Sequence, residues 1–205
     1  MKNPTPTTSH FDRSARDWDQ RPMSQQLAVV AERLLSRLTL NSDQHWLDFG
    51  AGTGLLSLPL AQQVAQVTAL DTSAAMLAVL AEKGQTNIQT LQQDVFAGLP
   101  AVYAGVVSCM ALHHVEDTLG LLRIFHQHLQ PAGQLALVDL YAEDGSFHGD
   151  NEGKGVKHLG FEPAELQALA EQAGFQAVTF TEILHLQHRN GRDYPLFLMQ
   201  ARASG

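Results

Sequence analysis

Apolar positions along this chain fall into two rhythms, one of helical period and one of short continuous runs. Leu27, Val30, Ala31, Leu34, Leu35 and Leu38 recur at helical spacing behind Ser24, a possible cap, and predict a helix packed on a sheet. Asn41, Ser42 and Asp43 end it, and a strand begins near His45. Apolar runs at 64–70, 87–91, 105–110 and 134–140 predict four further strands. Between them lie helices opened by Ser73, which carries Met76, Leu77, Val79 and Leu80, and by Asp117, which carries Leu121, Leu122, Phe125 and Leu129. Glu162-Pro163 opens one more helix, with Leu166, Leu169 and Ala170 facing inward and Gly174 stopping it. Runs at 175–186 and 194–201, joined through Asn190-Gly191, predict a closing antiparallel pair. Strands alternating with helices imply a parallel sheet covered on both faces.

Residues 46–61, WLDFGAGTGLLSLPLA, organise the rest. A strand ends at Asp48 and Phe49, Gly50-Ala51-Gly52-Thr53-Gly54 turns, and an apolar helix follows. Glycines there permit positive φ and remove the Cβ atoms that would block a ligand. The unpaired N–H groups at a helix start accept an anionic group. The dinucleotide fingerprint wants a third glycine one position later, where this chain has Leu55, which argues against a nucleotide-cofactor oxidoreductase. Asp48 would repel a pyrophosphate but bind an ammonium.

Three aspartates stand at successive strand ends: Asp48, Asp71 and Asp94, each 23 residues from the next. One such acid is a cap or a turn residue. Three in series are expected to line one crevice at the carboxyl ends of the strands. Asp71 suits two ribose hydroxyls and Asp94 an adenine amino group. A sulfonium is retained by carboxylates and aromatic faces.

LDFGAGTG, ALDTS with Met76, QQDV and SCMALHHVED, in that order, resemble the successive motifs of the class I S-adenosylmethionine-dependent methyltransferases. The resemblance covers about residues 11–202. It implies a single-domain, doubly wound α/β sheet of seven strands, order 3-2-1-4-5-7-6, with the seventh antiparallel. It also implies that Gly50, Gly52 and Thr53 hold the methionine moiety, Asp71 the ribose, and Asp94 and Val95 the adenine, with Thr72 and Met76 flanking them. Asp48, Trp18 and Met110 complete the expected cofactor set. VDLYAEDGSFH with KHLGF looks like a subgroup of bacterial small-molecule methyltransferases. Two positions depart from the family pattern: Ala104-Gly105 replaces Phe/Tyr-Asp, and Pro131-Ala132-Gly133 replaces Pro-Gly-Gly.

The acceptor is expected beyond the fourth and fifth strands. His113 and His114 follow the fourth, and His114 is the candidate general base because imidazole titrates near neutrality. Residues 141–160 form a long aperiodic stretch, and such loops commonly carry function. Tyr141, His148 and His158 from that region are expected to line the acceptor pocket with His114. With Glu143, Asp144 and Glu152 they match no zinc spacing, and no metal is expected.

Composition narrows the partners. The chain has 205 residues, 44% hydrophobic and 17% charged, which suits one globular domain. A net charge of −8 without a basic stripe argues against nucleic acid or an anionic membrane. One cysteine, Cys109, excludes an internal disulfide. The polar start has no signal-peptide core and no run spans a membrane, so a cytoplasmic location is the default. Residues 1–10 are expected to be a disordered tail. Residues 11–22, with Phe11 and Trp18, are expected to be an irregular arm that packs on the body or closes as a lid. Residues 1–22 would then be tail and arm, and 23–205 the methyltransferase domain. The expected function is methyl transfer to a small molecule. A non-catalytic S-adenosylmethionine or nucleotide binder is the alternative beside the oxidoreductase.

Overall fold

A computed structural model describes residues 6–204. The expected disordered tail is therefore testable only from residue 6, and residues 1–5 lie outside the described residues. From there the chain is helical, not irregular: α1 (Pro6–Ser14) runs into a 3-10 turn, Ala15–Gln20. α2 (Pro22–Leu35) follows with Pro22 in its first turn, where a missing N–H costs nothing. The helix thus begins before Ser24, which is not its cap.

The body alternates as the apolar pattern requires. In order come β1 (His45–Phe49), α3 (Ser57–Ala61), β2 (Gln66–Asp71), α4 (Ala74–Glu82), β3 (Ile88–Gln92) and β4 (Tyr103–Cys109). Then come α5 (Thr118–Gln127), β5 (Leu129–Leu140), α6 (Pro163–Gln172), β6 (Phe175–Gln187) and β7 (Asp193–Ala203). The seven strands form one sheet in the order β3-β2-β1-β4-β5-β7-β6. The first five are mutually parallel, and β7 runs antiparallel to both β5 and β6. Ser73 and Asp117 cap α4 and α5 through backbone N–H bonds from Met76 (3.2 Å) and Gly120 (2.8 Å).

Strand period decides which core each side chain enters. Leu47, Phe49, Leu135, Leu137, Phe197 and Met199 pack on one face with Phe125 of α5 and Leu166 of α6. Trp46, Ala136, Val138, Leu196 and Leu198 pack on the other, with Val30 and Leu34 of α2 and Leu60 of α3. Each fully buried large apolar side chain contributes about 1.5–3 kcal/mol. One departure from the family pattern is explained here. A Cβ on Gly105 of β4 would stand 2.1 Å from the ring of Trp46, which is wholly buried. The indole occupies the space that a side chain at 105 would need.

Candidate active site

The glycine turn is built by backbone. Gly50, Gly52 and Gly54 have φ of +65°, +52° and +98°, a region that penalises every residue with a Cβ. Two of the three glycines also make room for the protein itself. A Cβ on Gly50 would lie 2.4 Å from Cβ of Ala111, and one on Gly54 would lie 2.4 Å from Leu80. At Gly52 a Cβ would meet nothing within 4 Å, so its open face is available to a ligand. The helix after the turn is shorter than the apolar run implies. α3 has only five residues and contains Pro59, so the turn relies on glycine conformation more than on a helix start.

Asp71, at the end of β2, joins this turn. Its Oδ2 accepts from Gly52 N and its Oδ1 from Ser73 N, both at 2.8 Å. Burial pushes its pKa up, and these N–H groups pull against that. Each carboxylate oxygen keeps a further lone pair for a ligand hydroxyl. Asp94 is exposed and caps the 3-10 turn Val95–Ala97, accepting from Phe96 N at 2.9 Å. Val95 is buried behind it, Thr72 is exposed, and Met76 is buried.

The third acid corrects the expectation of three carboxylates on one crevice. Asp48 is 2% exposed, and Ser57 Oγ donates to its Oδ2 at 2.6 Å. It shares a strand face with Trp46, the face that α2 and α3 cover. Burial raises its carboxyl to about 7, against the Ser57 bonds that lower it. Sequence spacing placed the residue at the strand end, but strand alternation turned its side chain inward.

The arm lies across the first half of the sheet. Asp12 accepts from Ser73 Oγ at 2.5 Å, and Arg16 pairs with Glu82 of α4. Asp19 accepts from Thr53 Oγ1 at 2.5 Å and from Lys83 Nζ at 2.7 Å. Burial works to raise the Asp19 carboxyl, but the Lys83 and Thr53 bonds prevail and hold it below its ordinary value. Thr53 is thus buried beneath the arm. Trp18 is half-buried between the Arg21 guanidinium, 5.0 Å from its ring, and Phe11, 5.6 Å away edge-on. Phe11 also meets His114 edge-on at 5.4 Å, which ties the arm to the other half of the cleft.

That half is built by side chains. Met110, just past β4, holds φ +58°, an uncommon left-handed conformation for a residue with a side chain. Its N–H still donates to Val138 O at 2.9 Å. The chain then turns through Leu112–His114 in a 3-10 helix. His113 is 1% exposed, and its Nδ1 lies 2.7 Å from Oδ1 of Asp139, itself wholly buried in β5. Oδ2 of Asp139 accepts from the His113 backbone at 3.2 Å. His148 reaches in from the loop after β5 and sets its Nε2 3.0 Å from His113 Nε2. His114 Nδ1 faces the carbonyl of Gly155 at 3.2 Å. The His113 and His114 rings are 4.1 Å apart, and His113 and His148 are 4.9 Å apart.

Of the four residues expected to line the acceptor pocket, two come together here, and two are placed elsewhere. Tyr141 packs edge-on against Phe197 at 5.4 Å. His158 Nε2 faces Val115 O at 2.9 Å and Thr118 Oγ1 at 3.2 Å, with its ring on Phe161. Both residues anchor the loop. Burial, then the neighbouring His113, lowers His114 to about 4, and the same causes push His148 far below its ordinary value. Both are therefore neutral near pH 7 and present lone pairs, and His114 is a weak base. His113, which the sequence offers beside His114, and Asp139, which the sequence reading does not reach, complete the cluster. The available signal was an aspartate inside the apolar run LALVDL, since a buried charge needs a partner.

Residues 18–180 match the model of the methyltransferase domain family. The chain is a class I S-adenosylmethionine-dependent methyltransferase. A ubiquinone biosynthesis O-methyltransferase of Xanthomonas euvesicatoria pv. vesicatoria is 30% identical over 197 residues, covering 85% of this chain and 82% of its own. An uncharacterized methyltransferase of Mycobacterium bovis is 38% identical over 114 residues, covering 52% of this chain and 56% of its own. Among solved structures, DhpI in complex with SAH superposes with a TM-score of 0.75 at 22% identity, covering 97% of this methyltransferase and 96% of DhpI. A methyltransferase in complex with the Haloferax volcanii activator Trm112 gives 0.80 at 19% identity, covering 95% and 98%. These structural likenesses speak for the fold. The methyl donor is S-adenosylmethionine. The open face of Gly52, beside the Asp71 carboxylate, fits an amino-acid nucleoside approaching the backbone closely. Among the described residues, no helix is long and apolar enough to cross a membrane.

Proposed function

We propose that this methyltransferase transfers a methyl group to the hydroxyl of a small molecule held at the ends of β4 and β5. One observation carries the reading. Gly50 of the donor's turn backs directly onto Ala111, two residues before the histidine cluster, so donor and acceptor positions adjoin. S-adenosylmethionine supplies a methyl already made electrophilic by its sulfonium. The chain's own residues then need to orient the acceptor and exclude water. Neutral His114 and His148 suit a hydroxyl, because each offers a lone pair to its proton. Phe11 and Trp18, on the arm of residues 1–22, close the cleft over the body of residues 23–205. Orientation of this kind contributes several kcal/mol to the barrier.

Weak bases favour a hydroxyl that is already acidic, as in a phenol. The O-methyltransferase relative supports an oxygen acceptor, and the net charge of −8 supports a small molecule over nucleic acid. In this reading Asp71 accepts the ribose hydroxyls, and Gly50, Gly52 and Thr53 frame the methionine end. Asp94, Val95, Thr72 and Met76 surround the adenosine. Met110 stands between donor and acceptor. The test is release of S-adenosylhomocysteine with a panel of phenols, aliphatic alcohols, thiols and amines. Turnover is expected with phenols. Turnover confined to amines or thiols would overturn the hydroxyl assignment.

A further inference from the structure

We infer that His113, His114 and His148 together bind one divalent metal ion of the zinc class. Their ligand atoms all lie within 4.8 Å of one another. In a tetrahedral site with metal–nitrogen bonds of about 2.0–2.1 Å, neighbouring nitrogens are roughly 3.3–3.4 Å apart. The His113 and His148 Nε2 atoms, at 3.0 Å, already have nearly that spacing. Small side-chain rotations of His114 bring in the third.

The surrounding bonds fix which nitrogens are offered. His113 Nδ1–H donates to Asp139, and His114 Nδ1–H donates to Gly155 O. Each ring is therefore left an Nε2 lone pair, and that of His113 faces His148. A carboxylate or carbonyl behind a ligating imidazole is the usual support of such a site, because it fixes the tautomer and raises ligand basicity. Asp139 also places a carboxylate, 0% exposed, immediately behind the cluster to offset the ion's charge.

A hydrogen-bonded chain accounts for less. One proton can bridge the His113 and His148 nitrogens, but it does not engage His114, whose ring lies 4.1 Å from that of His113. An ion uses all three. Three neutral nitrogens with no carboxylate ligand favour zinc or a similar imidazole-loving ion over magnesium or calcium. Three protein ligands leave a fourth position, and His114 and His148 are the half-buried members that border the cleft. With the ion bound, the His114 and His148 lone pairs would be held by the metal, and the ion in their place would take the acceptor's oxygen and lower the pKa of its hydroxyl. That last role rests on the function proposed above, whereas binding of the ion does not.

The test uses full-length protein with no histidine tag, stripped with a chelator and dialysed. Cobalt added alone is expected to bind one equivalent and give the intense visible absorption of a tetrahedral site. Zinc is expected to displace it, with affinity read by competition against a chromophoric chelator. Loss of a supporting outer group costs roughly 10–100-fold in affinity, so His114→Ala and His148→Ala should each lose at least that much. Asp139→Asn should fall within that range. His185→Ala, on the surface, should bind as the native protein does. No cobalt spectrum, or native zinc affinity in both histidine variants, overturns the proposal. Calorimetry with S-adenosylhomocysteine on the same samples separates the two readings. Native affinity in the histidine variants leaves the donor site intact whatever the metal result.

Discussion

At the ends of β1 to β3 the cleft offers mostly backbone, whereas at the ends of β4 and β5 it offers side chains. The first half is made of glycine conformations, one open face at Gly52 and the Asp71 carboxylate held by two N–H groups. The second is made of three imidazoles drawn from positions up to 35 residues apart and backed by a buried aspartate. A backbone site needs a short contiguous motif, because turn geometry is local. A side-chain site needs the tertiary fold, because its members meet only when β4, β5 and the following loop are packed. The halves should therefore fail differently when altered.

The sharpest break is Gly52→Val. A β-branched residue is strongly disfavoured at φ +52°, and its methyls would fill the face a ligand needs. Binding of S-adenosylhomocysteine should fall below detection by calorimetry. Circular dichroism should still show the folded sheet, because nothing of the protein occupies that space. Native binding would place the donor elsewhere.

Asp48 separates fold from function within the first half. Its carboxyl titrates near 7 when folded and near 3.8 in an unfolded chain. A raised folded pKa stabilises the protein fully below the unfolded value, and that contribution is lost as pH rises through about 7. By linkage the loss is at most about 4 kcal/mol. Asp48→Asn retains an acceptor for Ser57 and avoids that loss. Its melting temperature should exceed the native one at pH 8, by up to several degrees, and the gap should close toward pH 4. An equal melting temperature at both pH values would return Asp48 to an ionised role in the cleft.

The second half should lose turnover without losing the donor. His114→Ala and His148→Ala each remove a group that orients the acceptor, and a misplacement of about 1 Å costs roughly a hundredfold. The expected drop is in kcat/KM, with S-adenosylhomocysteine affinity unchanged. If both variants turn over a phenolic acceptor at the native rate, the pocket lies on another part of the cleft. Asp71→Ala should show the reverse emphasis. Hydrogen bonds to a charged group contribute about 1.5–3 kcal/mol, so donor affinity should fall by about tenfold or more.

The same contrast governs what could be read before folding. The glycine turn and the caps at Ser73 and Asp117 are legible because each depends on residues close in sequence, whereas the sheet order, a tertiary property, follows only from the family resemblance. Asp48 escapes the rule that strands end at the ligand crevice, because that rule does not say which face a given residue takes. A long aperiodic loop points to Tyr141 and His158 as pocket residues. The structure uses them to anchor that loop on Phe197, Val115 and Thr118. His113 needed Asp139, 26 residues away, to acquire meaning. FDRSARDWDQRP has no apolar stripe and so predicts an irregular arm, whereas its helical form is stabilised by what it touches on α4 and the glycine turn.

The arm joins the two halves, and it carries the smallest expected effect. Its polar ties are partly exposed: Lys83 and Asp19 keep 29% and 51% of their side-chain exposure, and Arg16 and Glu82 keep 72% and 55%. Such pairs contribute about 0–1 kcal/mol each, so Asp19→Asn should weaken donor binding by no more than about fivefold. Phe11 differs from these ion pairs because it touches Trp18 on one side and His114 on the other. If the arm closes over the donor, ligand should slow backbone hydrogen exchange at residues 10–20, where the native arm is held by few buried contacts. Phe11→Ala should abolish that slowing while leaving exchange in β1, β4 and β5 unchanged. Equal exchange in the native protein with and without S-adenosylhomocysteine would make the arm a fixed part of the wall.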